Sequence, residues 1–186
     1  VNLWHDGADI VANVKNYRLR DKAYYFKKGI TWGRITSSKI AFREVIDGSL
    51  FGDAGPIGFI EKHRRYLLGF LCTKVALYFL EATNPTLNYQ VRDIENLPLL
   101  IDDKIHDLVE DIVGKAISVE KQDWDSMESS WDFKKHPLLR NVSTISEAFT
   151  QWQAECDDRF NQLKANEEEL NRIFIDIYGL QDELTP

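Results

Sequence analysis

The chain has 186 residues, a net charge of −7, and 44% hydrophobic and 12% aromatic residues. That length holds one domain or a domain with an extension, and that apolar content excludes wholesale disorder. Its two cysteines, Cys72 and Cys156, fall in apolar helical patterns, which excludes a disulfide framework and leads us to expect a reducing, cytoplasmic setting.

The charge is unevenly spread. Residues 1–100 carry 14 Lys/Arg against 10 Asp/Glu, a balance of +4, whereas residues 101–186 carry 9 against 20, a balance of −11. A polyanion is repelled by the second part and tolerated or attracted by the first. The longest apolar run, residues 66–80, is too short for a membrane span and carries Lys74 in its middle, and no signal peptide precedes it, so no membrane partner is expected. With Val1 at its start and Pro186 at its end, the chain is expected to be a piece cut from a longer protein.

In chain order, Trp4, His5 and Gly7 suggest an irregular entry, and residues 10–14 fit a short helix or a short strand. Ala23-Tyr24-Tyr25-Phe26 is β-prone and ends at the basic turn Lys27-Lys28-Gly29. Residues 30–35 continue as a strand, and in residues 39–46 apolar side chains alternate as in a half-buried strand. Asp47-Gly48 is a strong turn dipeptide. Ser49-Leu50-Phe51 and residues 57–60 are further short strand candidates around the link Gly52-Asp53-Ala54-Gly55-Pro56.

Residues 66–80 then predict one helix, apolar almost all round and therefore largely buried. Pro85 stops it, and Leu87-Asn88-Tyr89-Gln90-Val91 alternates as a strand. After Pro98 the period changes. Ile101, Ile105, Leu108, Val109, Ile112, Val113 and Ala116 share one helical stripe, with Asp102 or Asp103 suited to its N-terminal end. Residues 119–142 read as a connector anchored by Trp124, Trp131, Phe133 and Pro137. Thr144 with Glu147 forms a capping-box pattern, and Gly179 marks the stop of the last helix. Phe149, Cys156, Leu163, Leu170 and Ile177 recur every seven residues, with Trp152 and Ile173 on interleaved positions that Arg159 and Asn166 interrupt. A helix of that length, roughly 50 Å at ~1.5 Å per residue, with a narrow apolar seam, calls for a partner helix. These seven residues are the candidate helix interface.

No catalytic or metal-binding constellation is present. The four histidines are scattered and make no zinc spacing with two distant cysteines. Gly52, Gly55 and Gly58 lack the Gly-Lys-Ser/Thr of a phosphate loop, and Asn84-Pro85-Thr86-Leu87 lacks the second proline and the aromatic of an amino-methyltransferase motif. What remains is basic and aromatic. Lys27, Lys28, Arg34, Lys39 and Arg43 interleave with Trp32, Ser37, Ser38 and Phe42, and Lys62, His63, Arg64 and Arg65 form a second cluster. Arg and Lys neutralise phosphates or read guanine edges, and Ser contacts either. The candidate DNA contacts are therefore Lys27, Lys28, Arg34, Ser37, Ser38, Lys39, Arg43, Arg64 and Arg65.

Several of these stretches together resemble one family. Tyr24-Tyr25-Phe26-Lys27, Gly29-Ile30-Thr31-Trp32 and Ser37-Ser38-Lys39-Ile40-Ala41-Phe42-Arg43 resemble the opening of a target-recognition domain. Tyr66-Leu67-Leu68-Gly69-Phe70-Leu71, residues 84–91 and Asp93-Ile94-Glu95-Asn96-Leu97-Pro98 are similar to its close. The Trp131-Asp132-Phe133 connector and Leu163-Lys164-Ala165-Asn166 fit as well. The combination resembles the C-terminal region of the large bacterial adenine-specific DNA methyltransferases of restriction–modification and phage-exclusion systems, type IIG-like and BREX-type.

The resemblance implies an α+β fold: a mixed β-sheet target-recognition-like domain with a buried helix over residues 1–100, then a helical spacer over 101–186 with one long heptad-patterned helix. It implies a DNA sequence-recognition fragment that lacks the catalytic domain, with S-adenosylmethionine used elsewhere in the parent and no cofactor here. Expected partners are double-stranded DNA, the parent's catalytic domain, and a helix of the same or another subunit. The competing expectation is a helical protein-interaction or scaffold module that does not read DNA.

Overall fold

The computed structural model describes residues 4–17, 19, 21–45 and 48–186. A single 3-10 turn, Trp4–Gly7, leads into a short helix α1 (Ala8–Asn13). The β-prone aromatics that follow do not form a strand. The Asp21 carboxylate accepts a hydrogen bond from the Ala23 amide at 2.9 Å and closes a 3-10 turn over Lys22–Tyr24. This local bond competes with strand pairing. Phe26 then turns the chain with a φ of 60°.

Three short strands make an antiparallel sheet in the order β2-β1-β3: β1 (Ile30–Trp32), β2 (Phe42–Glu44) and β3 (Ile57–Gly58). All are shorter than the sequence predicts. Ile46 and Asp47, from the expected strand end and turn, lie outside the described residues, and residues 49–51 form no strand. The expected strand at 87–91 is reduced to one bridge, Ile35 with Asn88. Two side chains divert it. The Asn84 amide donates to the Asn88 carbonyl at 3.0 Å and to the Asp93 carboxylate at 2.9 Å, and Asp93 accepts from the Gln90 amide at 2.8 Å. That local network starts a helical turn, α4 (Val91–Glu95).

The predicted single helix over 66–80 is two helices, α2 (Arg64–Leu71) and α3 (Lys74–Thr83), bent by 68°. Thr73 makes the break. Its hydroxyl donates to the Phe70 carbonyl at 2.6 Å and accepts from the Ala76 amide, so it closes one helix and caps the next. The second long element, α5 (His106–Trp124), starts later than its apolar stripe, because Asp102 accepts from the Lys104 amide and holds a turn first. It also runs six residues into the predicted connector. The last helix, α6 (Ile145–Tyr178), has 34 residues; Thr144 caps it by accepting from the Glu147 amide, and Gly179 ends it at a φ of 64°. Among the described residues no single helix is long and apolar enough to cross a membrane.

One core draws on both sides of residue 100. Ile30, Trp32 and Phe42 of the sheet, Tyr66 and Phe70 of α2, Val75 and Leu80 of α3, Val109 and Val113 of α5, and Leu170 and Phe174 of α6 are all buried in it. Trp32 satisfies its indole N–H on the Tyr89 carbonyl at 3.1 Å. The centre of this packing is Gly69, where an added Cβ would sit 2.8 Å from Val113 Cγ2 and 3.3 Å from Val109 Cγ1. Gly69→Ala gains helix propensity of ~0.5–1 kcal/mol, but overpacking of a filled core costs ~1–3 kcal/mol. The net expected result is a lower unfolding midpoint in urea.

Glu167 of α6, though exposed over much of its surface, has a carboxyl held above its ordinary value, first by partial desolvation against its neighbours and then by the charge of Glu120 on α5. A pKa raised in the folded state contributes stability below the ordinary carboxylate range, and that contribution is lost as pH rises through the shifted one. Glu167→Gln removes the loss. Its thermal midpoint is expected above that of the unaltered chain at about pH 8, with the gain fading at about pH 3, where both carboxyl states are protonated.

Candidate nucleic-acid interface

The pairing register sorts the sheet's side chains onto two faces. Ile30 and Trp32 stand opposite Glu44 and Phe42 on the face that packs on α2, while Thr31 and Arg43, opposite each other, project from the other face. Arg43 is exposed there, and with Thr31, Leu50, Phe51 and Ile57 it lines an open cavity of about 360 Å³. The segment joining β1 to β2 presents Ser37, Ser38 and Lys39, all exposed. Thr36 shapes this segment, its hydroxyl accepting from the Ser38 amide at 3.1 Å. Beyond the other end of β1, Lys27 and Lys28 are exposed, with the Lys27 ammonium 5.7 Å from the centre of the Tyr24 ring.

Arg34 is engaged within the chain. Its guanidinium meets the Asp53 carboxylate at 2.7 Å and the Asn88 side-chain oxygen at 3.2 Å. Its own amide donates to the Ala54 carbonyl, and its carbonyl accepts from the Tyr89 amide at 2.7 Å. Arg34 thus clamps the glycine-rich link and the 88–89 segment to the end of β1. Arg64 is engaged likewise: its Nε lies 3.2 Å from Glu44, on the core face of β2. Arg65 is exposed and lies along α5, its Nη1 only 3.2 Å from where a Cβ on Gly114 would stand. The nine sequence candidates therefore do not share one surface. Six gather around the β1–β2 hairpin, Arg34 braces it, and Arg64 and Arg65 lie on the opposite side of the sheet.

The start of α2 holds a feature that the sequence concealed. His63 is in the left-handed region at a φ of 57°, and its Nδ1 lies 2.8 Å from Nε2 of His106, the first residue of α5. One ring donates and the other accepts. The His106 ring stacks on Tyr66, with centroids 5.3 Å apart and planes at 6°. The Tyr66 hydroxyl donates to the Leu100 carbonyl at 3.1 Å; burial, opposed by the bond from the Asp102 amide, pushes it above its ordinary pKa. Lys62, Arg65 and Glu110 join the two histidines around a cavity of about 420 Å³. The two imidazoles are 43 residues apart, and no local pattern links them.

The seven helix-interface candidates on α6 divide along its length. Leu170 is buried in the chain's own core, and Ile173 and Ile177 pack against it. Leu163, Cys156 and Trp152 are partly covered, and Phe149 is 51% exposed. Asn166, one of the interrupting positions, is buried and accepts from Gln162 at 3.0 Å.

Among the described residues no group of three or more His, Cys, Asp or Glu side chains is arranged to hold a metal ion. The chemistry on offer is ammonium, guanidinium and hydroxyl groups spread around a hairpin, which suits phosphates and base edges. No family model matches the chain. The adenine-specific methyltransferase PglX of Lacticaseibacillus casei (strain Zhang) is 42% identical to it over 201 aligned positions, and the adenine-specific methyltransferase BrxX of Escherichia coli O9:H4 (strain HS) is 28% identical over 189. Both alignments take in all of this chain but only 16% and 15% of those proteins, so the chain spans about one sixth of the length of the relatives it matches.

Proposed function

We propose that this chain, which aligns over its whole length with about one sixth of these adenine-specific methyltransferases, is the DNA sequence-recognition segment of such an enzyme. The observation that carries this reading is the exposure of Lys27 and Lys28 at one end of a small hairpin, Ser37, Ser38 and Lys39 at its other end and Arg43 on its outer face, on the part of the chain that carries the positive balance. Lys27 and Lys28 neutralise backbone phosphates and set the register on the duplex. Ser37, Ser38, Lys39 and Arg43 approach base edges, where Arg and Lys favour guanine. Arg34 acts through the loops it braces, while Arg64 and Arg65, on the opposite side of the sheet, are left out of the contact set.

On this reading the methyl transfer takes place elsewhere in the parent. The parent's catalytic part holds S-adenosylmethionine and receives an adenine turned out of the stack, since a base inside a duplex cannot be reached. The enzyme serves a restriction–modification or phage-exclusion system in the bacterial cytoplasm. Residues 1–100 are the reader, and residues 101–186, with their balance of −11, are the spacer that keeps clear of the duplex. The uncovered end of α6 favours a second role for that spacer, as a protein-interaction module.

The test is made in the full-length enzyme by mapping methylated adenines in host DNA and measuring affinity against salt. Loss of one base-edge contact costs ~1–3 kcal/mol, and loss of one phosphate contact lowers the salt slope by about 1. Lys39→Ala with Arg43→Ala is expected to weaken target binding at least tenfold and to relax the methylated motif at one position or more. Lys27→Ala with Lys28→Ala is expected to weaken binding to all sequences alike. An unchanged motif and affinity in the first variant would overturn the reader assignment and leave the scaffold reading in its place.

A further inference from the structure

Asp123, in the last turn of α5, meets α6 at Arg159 with a separation of 3.3 Å. Residues 145–158 of α6, about 21 Å of helix at ~1.5 Å per residue, therefore run past the end of α5. The connector covers part of this overhang. The Arg140 guanidinium holds Glu155 through two bonds, at 2.7 and 3.1 Å, and His136 lies 5.6 Å from Trp152, edge to face. Ala148 is buried there, but large apolar side chains near it stay open: Ile145 is 78% exposed, Phe149 51% and, on the connector, Leu139 66%.

Trp131 stands in water although its neighbours are fixed. Ser130 donates to Asp125 at 2.7 Å, the Asp132 amide donates to the Ser130 hydroxyl at 3.1 Å, and Lys121 pairs with both Asp125 and Asp132. An indole 99% exposed on a held segment at the end of α5, together with the open apolar side chains further along the overhang, marks this side of the segment as a contact surface.

We propose that this tip is where the segment docks on the rest of its own polypeptide, against an apolar patch with a basic rim. The inference rests on the homology and not on DNA reading. Over four-fifths of the length of the matched relatives lies outside the aligned segment, so the greater part of such a protein is available to cover the tip. The charge of the overhang selects among occupants. Residues 145–158 contain Glu147, Glu155, Asp157 and Asp158 and neither Lys nor Arg, and the connector's Arg140 is bonded to Glu155, which leaves Glu147, Asp157 and Asp158. DNA is repelled by it. A two-fold contact with a second copy would set these carboxylates against one another. A basic-rimmed surface complements them.

The test replaces Trp131 or Phe149 in the full-length protein by the photoreactive residue benzoylphenylalanine and maps cross-links by mass spectrometry. Expected are cross-links within one polypeptide, from the tip to peptides outside these 186 residues, with a yield unchanged by tenfold dilution. Cross-links between two copies, with a yield that falls on dilution, would overturn the proposal in favour of a dimer contact. Cross-links confined to the 186 residues, or none from either position, would overturn it as well. The readout is independent of DNA, so failure of the reader assignment leaves it untouched.

Discussion

The close approach of α2 to α5 and α6 at Gly69 is the constraint on which the rest of the molecule depends. A helix backbone seated directly on its neighbours' side chains leaves little room for adjustment, because interiors are packed at crystal-like density. Gly69 faces Val109, Val113 and Leu170, so it fixes α2 against both long helices at once. From there Tyr66 and Phe70 extend the same packing to Phe174 and Tyr178 through ring contacts of 5.4 to 5.6 Å. The sheet lies on the far side of α2 through Phe42 and the Arg64–Glu44 pair. A strand system of three, three and two residues has little stability of its own. Its geometry is borrowed from the helix beneath it.

The ion pairs distribute the charge rather than hold the fold together. In the helical part, Lys121, Arg140 and Arg159 are each paired with carboxylates on neighbouring elements, so most of the acidic surplus stays uncompensated at the surface. Around the hairpin the pattern reverses, with Lys39 and Arg43 exposed while Arg34 is spent on Asp53. Exposed pairs of this kind are worth ~0–1 kcal/mol each. Their consequence is positional: Arg140 orients the connector on α6, and Arg34 orients the loops beside the hairpin.

Much of the helical part was legible in the sequence, because its signals are local. Thr144, Glu147 and Gly179 mark the ends of α6 by side-chain and backbone chemistry within one turn, and the stripe from Ile101 to Ala116 reveals α5, although it begins before the helix does. The sheet part was harder to read. Tyr24 to Phe26 have strand propensity that a single carboxylate, Asp21, overrides, and Thr73 breaks a run whose apolar character is continuous on both sides. The basic hairpin could be listed residue by residue, but which of its members are engaged depends on partners far away in the chain, 19 residues for Arg34 with Asp53 and 20 for Arg64 with Glu44. The His63–His106 contact was invisible for the same reason.

α6 has one mechanical property that follows from its length. Its C-terminal half is built into the core through Leu170 and Phe174, and its N-terminal end runs past α5 as a continuous rod, held by the connector at Arg140 and covered at Ala148. The helix is therefore a lever with its fulcrum near Arg159. A tilt of about 5° at the fulcrum sweeps the far end through roughly 2 Å at ~1.5 Å of rise per residue, a distance comparable to the difference between a formed and a broken hydrogen bond. Displacements too small to disturb the packing around Gly69 are thus magnified at the tip, and a load applied at the tip returns to the core with mechanical advantage.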